Sequence, residues 1–229
     1  MAGFVFRSTV LLKPTISFND QLEKLKSRKL GIDNRQEALQ YLKDNSYYHL
    51  NIYFKYFQKE TGFIGKNGEE EYEFVEGTTF DDIVKIHEHD KLLRTMYLGA
   101  IQPIELRLRA VIAYCIGIEK GSDAFYLEND NNLYYDKHAL GKLQSRFDEI
   151  VYSSSANPIV QHHNVKYAGK FPLFAIFELC SLSFLIDYFN ILSYSFQDKI
   201  ANKFFYQKNN LNLKNWMKCI NELRNICAH

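Results

Sequence analysis

The sequence predicts a mainly all-α protein, and three observations predict it. Only four Pro and 11 Gly are spread through 229 residues, so long stretches carry no breaker. Apolar residues recur at steps of three and four in most of those stretches, the period of a helix with one buried face. Residues able to cap a helix stand at the head of several of them: Ser17, and the pairs Thr79/Asp82 and Ser195/Asp198 in capping-box spacing.

A chain of this length can bury a sizeable core, as one large domain or two small ones. We read it as a single domain over 1–229, with an N-terminal helical part over 1–60 and a helical bundle core over 79–229. Its 28 Lys and Arg against 27 Asp and Glu leave a net charge of +1. That excludes a global field for gripping nucleic acid, so any such site is a local patch or a cleft made by assembly. Cys115, Cys180, Cys219 and Cys227 have no Cys-x-x-Cys spacing and sit in apolar helical contexts, and we read all four as reduced and buried. Met1 to Leu12 is too short and mixed for a signal peptide, and no apolar run approaches the roughly 18 residues that cross a membrane. A soluble, cytoplasmic protein with no membrane partner is expected.

In chain order, an extended start and a turn at Lys13-Pro14 lead to a helix over about Phe18 to Leu30. Leu22 and Leu25 face inward, Lys24, Lys26, Arg28 and Lys29 outward, and Gly31 ends it. A second helix starts near Arg35, and the aromatic run Tyr47-Tyr48-His49-Leu50-Asn51-Ile52-Tyr53-Phe54 reads as a helix between neighbours. Phe63-Ile64, Asn67-Gly68 and Tyr72 to Val75 read as a small β-hairpin insertion near 62–76 with an Asn-Gly turn. The next helix runs from Phe80 to about Ala100 with Ile83, Ile86, Leu93, Tyr97 and Ala100 on its apolar face, and Pro103 kinks or restarts it. Asp90 and Arg94 are four apart and should pair, as should Glu105 and Arg109. The apolar surroundings of Glu105 and Arg109 make that pair a structural clasp or part of a site. A helix over Lys137 to Tyr152 follows, then a linker to Pro158, an apolar helix from Pro172 through Leu192, a short helix to Phe205, and a final helix from near Leu213. His87 and His89 project to nearly opposite sides, and His162-His163 has no spaced third ligand. We assign no metal and no cofactor.

The final helix carries Trp216, Ile220, Leu223 and Cys227 on one face and ends in Arg224-Asn225-Ile226-Cys227-Ala228-His229. Arg is a permanently charged donor fork, and His titrates near neutrality, so the pair suits phosphate chemistry. Asn225 and His229 share a face, whereas Arg224 and His229 leave the axis about 140° apart. Two such helices facing each other could bring one chain's Arg near the other's His. Arg and His are also favoured in any last helical turn by the macrodipole, and composition does not separate the two readings.

Taken in order, these segments resemble the Abi-like (abortive infection) proteins of bacteria, which include phage-resistance proteins. The likeness rests on Lys13-Pro14, Gln21 and Leu25-Lys26; Asn45 with Tyr47 to Leu50; Phe80 to Ile83, Asp90 and Leu93-Arg94; Glu105 to Tyr114; Phe171-Pro172, Glu178 and Leu182-Ser183; and Trp216, Leu223 and Arg224 to His229. Arg224-x4-His229 matches the Arg-x4–6-His motif of HEPN ribonucleases (higher eukaryotes and prokaryotes nucleotide-binding). The family pattern runs on past the motif, often with a second His, so a chain that continues beyond His229 is expected. Cys115 stands where relatives often place another His, which favours a site shared between two copies.

The resemblance implies an HEPN-like helical bundle with an N-terminal helical extension and the hairpin insertion. It implies a metal-independent endoribonuclease-type toxin in phage defence, with Arg224, Asn225 and His229 as catalytic residues and Glu105 and Arg109 in support. Single-stranded RNA, a second copy of the chain, and an antitoxin or phage-derived trigger are the expected partners. The alternative is a non-catalytic module that binds RNA, a nucleotide or a protein in the same defence setting.

Overall fold

Side-chain caps set most helix starts in the computed structural model, which describes residues 14–64 and 70–228. Lys13, Asn67, Gly68 and His229 lie outside the described residues. Ten α-helices and one two-stranded antiparallel sheet are present among them, a mainly all-α fold. The chain divides into two compact units between Leu93 and Arg94.

The first unit begins with α1 (Phe18–Ser27), whose N-cap Ser17 accepts from the Asp20 amide. Leu22 and Leu25 are buried, as their spacing requires. Lys29, at φ 70°, takes the left-handed position that ends the helix, and not Gly31. Gly31 serves a different need: it bridges to Thr79, and a Cβ there would come 3.3 Å from the Thr78 carbonyl oxygen. Asn34 caps α2 (Arg35–Asn45), and Ser46 at φ 58° turns the chain into α3 (Tyr47–Phe54). The strands β1 (Gln58–Ile64) and β2 (Glu70–Phe74) pair Gln58 with Phe74, and β1 starts several residues earlier than the sequence signal at Phe63. Thr79 and Asp82 form the expected capping box, each accepting from the other's amide, at the head of α4 (Phe80–Lys120). Leu25, Leu42, Leu50, Phe54, Phe74 and Ile83 fill this unit's core.

In α4 the predicted face is corrected. Ile83 is buried, but Ile86, Leu93 and Tyr97 are exposed, and His87 lies inward instead. The helix is continuous through Pro103 to Lys120. The rest of α4 belongs to the second unit, where Leu108, Ile112 and Ile116 enter the core. With it pack α5 (Lys137–Ser153), α6 (Pro158–Tyr167), α7 (Leu173–Leu179), α8 (Leu182–Ile191), α9 (Tyr194–Phe205) and α10 (Asn210–Ala228). The apolar run after Pro172 is two helices, because Ser181 accepts from the Phe184 amide and starts α8 afresh. The Gln197 side chain closes the other end of α8 by donating to the carbonyls of Phe189 and Leu192. Ser195 and Asp198 do not form a box; Ser193 is the N-cap of α9, and Asp198 serves α10. Among the described residues no helix is long and apolar enough to cross a membrane.

Candidate active site

Asp198 fixes where the functional helix begins. Its Oδ1 accepts from both the backbone amide and the side-chain nitrogen of Asn210, each at 2.8 Å. From there α10 buries Leu213, Met217 and Cys227, with Ile220 packed against the core between them. Of the predicted stripe, Ile220 and Cys227 face the core, but Trp216 is 51% exposed and Met217 takes its place. The true stripe, stepping four, three, four and three from Leu213, passes through Arg224. A charged residue therefore lies on the inward side of this helix, one turn before its end.

The partner of Arg224 lies on an equivalent position of α4. Ile101, Leu108 and Ile112 are buried, and Glu105 stands on the same stripe with its side chain 15% exposed. One Glu105 oxygen faces Arg224 Nε at 3.7 Å and the other faces Arg109 Nη2 at 3.6 Å. Arg109 Nη2 also donates to the Cys180 carbonyl at 3.2 Å, while its Nε is buried without a partner. Burial pushes the neighbouring Cys180 thiol up to about 12, so it stays protonated and unreactive. Two guanidiniums share one carboxylate, which leaves a surplus positive charge. That surplus opens to solvent at Arg224, whose side chain is 43% exposed. Arg224 Nη1 donates weakly to Asn225 Oδ1 at 3.5 Å, and Nη2 has no hydrogen-bond partner among the described residues. The arrangement thus holds a guanidinium by one edge and presents its free edge, the geometry suited to an anionic oxygen.

The sequence model of the Abi-like protein family matches residues 40–229, most of the chain and every one of these residues. The chain belongs to the Abi-like protein family. No curated protein and no solved structure matches it. Membership places this Abi-like chain in the setting of abortive-infection phage defence.

Of the predicted site residues, the structure brings together Glu105, Arg109 and Arg224, with exposed Asn225 beside Arg224. His229 lies outside the described residues. Glu222 pairs with Lys218 on the solvent side. The residue that sequence reasoning missed in this Abi-like site is Arg94, assigned there only to Asp90. Its Nη1 donates to the Ile226 carbonyl, close after Arg224 on α10. Arg94 therefore anchors the turn that bears Arg224. Cys219 is exposed, which corrects its reading as a core residue. Among the described residues no group of three or more His, Cys, Asp or Glu could hold a metal ion.

Proposed function

We propose that this Abi-like chain is a metal-independent, HEPN-type endoribonuclease, a toxin that cuts single-stranded RNA where two copies join their Arg224-x4-His229 motifs. The observation that carries the reading is the ion pair of Glu105 with one edge of Arg224, with Nη2 unpartnered among the described residues at a half-exposed surface. RNA brings its own nucleophile. The ribose 2′-hydroxyl loses its proton and attacks phosphorus, the 5′-oxygen leaves with a proton, and a 2′,3′-cyclic phosphate remains. Arg224 balances the charge that builds on the phosphoryl oxygens, an effect typically worth about 10²–10³-fold or more in rate. His229 moves the protons, a role its sequence position assigns, and general acid–base help adds about 10²–10⁴-fold. Asn225, four residues before His229, orients it or holds a phosphate oxygen.

The test is cleavage of end-labelled single-stranded RNA in excess EDTA by wild type, Arg224→Ala and His229→Ala. Wild type should cut and leave cyclic ends, and both variants should not. Cleavage that persists in the variants, or that EDTA removes, overturns the proposal. A second reading has its own support: the Arg109–Glu105–Arg224 chain is also what a clasp holding α10 on α4 requires. RNA binding and dimers without cleavage, in wild type and variants alike, would make the chain a non-catalytic RNA-binding module.

A further inference from the structure

The second unit holds another concave surface that the proposed chemistry does not use. It forms where the chain turns back after α6. Ala168 at φ 51° and Gly169 at φ 76° reverse the direction, and the Gly169 amide donates to the His163 carbonyl. This returns Lys170 and Phe171 to the side of His163, whose ring stacks on Phe171 at 5.0 Å and 20°. The result is a cleft of about 410 Å³, within the size range of small-molecule sites. Six rings line it: Tyr126, His162, His163, Tyr167, Phe171 and Phe174. Half-buried rings at a protein surface usually gain by burial, yet Tyr167 is 46% and Phe174 62% exposed.

The polar groups of the cleft are also uncommitted. The Ser122 hydroxyl, the Asp123 carboxylate and the Lys170 ammonium line it, and none has a side-chain partner among the described residues. His163 is nearly buried, and its Nδ1 is held 2.8 Å from the Ile159 carbonyl, which accepts its proton. That fixes the ring and leaves Nε2 without a hydrogen-bond partner among the described residues. Tyr126 takes the Phe171 amide on its hydroxyl oxygen, so its own proton is free to donate. A second cation, Lys166, sits 5.2 Å above the Tyr167 ring. Of the charged groups that line the cleft, Lys170 is the cation and Asp123 the anion.

Flat rings, edge groups that donate and accept, and an unpaired ammonium at Lys170 are together the chemistry of a nucleobase joined to phosphate. We infer that this cleft binds a nucleotide, with the base against the exposed rings around Tyr167 and the phosphate on Lys170. The nucleotide is either free or one unit of an RNA strand; the RNA form rests on the ribonuclease reading above. Base stacking on such a ring supports sequence-tolerant binding, so the cleft would seat a strand without dictating its sequence.

The experiment titrates the full chain with AMP and, separately, with a fluorescein-labelled 2′-O-methyl hexanucleotide, which cannot be cut. It compares wild type with Tyr167→Ala and Lys170→Ala, both surface changes, with folding checked by circular dichroism. Each variant should bind at least about ten-fold more weakly than wild type. Loss on AMP identifies a free nucleotide as a ligand; loss on the oligomer alone identifies an RNA strand. Wild-type affinity in both variants, or no binding of either probe by wild type, overturns the inference. Because neither probe is cleaved, a positive result stands even if the RNA-cutting assay fails. If cutting is observed, Tyr167→Ala should raise KM for RNA.

Discussion

At the scale of single residues, Glu105 is the one whose removal should tell most. It is nearly buried and faces both Arg109 and Arg224. Glu105→Gln leaves the Arg109 guanidinium buried opposite a neutral amide, and urea denaturation should show a loss of about 1–3 kcal/mol. Replacing Arg109 by Met in the same chain should recover part of it, because the stranded charge is gone. His87 makes a pH prediction in the first unit. It is buried against Tyr41, Tyr53 and His49, and its Nδ1 meets the Tyr41 hydroxyl, which itself donates to Glu88. Burial, then the nearby His49, lowers its pKa below the ordinary 6.5, against the opposing pull of Glu88 and Asp90. A lowered value means the folded state resists protonation. Its contribution is complete above about pH 6.5 and is lost as pH falls through the folded value. Melting temperature should therefore drop between pH 7 and 5, and less steeply in His87→Gln.

At the scale of elements, caps decide where helices begin, and one of them, Asp198, shapes the site. Asp198→Ala removes both bonds that hold Asn210 and should cost about 1 kcal/mol. Hydrogen exchange should report this as faster exchange in residues 210–214, with the core of α5 unchanged. Legibility at this scale was uneven for a clear reason. Ser17 and Thr79/Asp82 act within one turn of their own chain, so spacing revealed them. Ser195/Asp198 has the same spacing, yet Asp198 bonds to Asn210, twelve residues on. On α10 local pattern places Ile220 and Cys227 correctly but draws large, apolar Trp216 inward, where Leu213 and Met217 fill the place.

At the scale of the whole molecule, two separate clusters of buried side chains underlie the two units. Leu50 is fully buried in the first. Leu50→Ala should destabilise by about 2–5 kcal/mol, and the loss of hydrogen-exchange protection should concentrate in residues 18–83 while α5 and α8 stay protected. Uniform loss through α5 and α8 would show instead that the cores melt as one. The proposed shared site predicts a mass in solution of twice the 26.9 kDa of one chain, read by light scattering.

The helical class, the hairpin, most helix starts and the residue types of the site follow from local pattern alone. Backbone period, caps and turn residues act over a few positions, and those positions are adjacent in the chain. Even the Glu105–Arg109 pair is local, four residues on one helix. Tertiary structure decided what those residues meet. Glu105 reaches Arg224 across 119 residues of chain and Arg94 reaches Ile226 across 132, and no periodicity encodes such encounters. The first arises because α4 and α10 each carry one charge, Glu105 and Arg224, on a core-facing stripe, where a charge needs its opposite; the second gives a backbone carbonyl a charged donor.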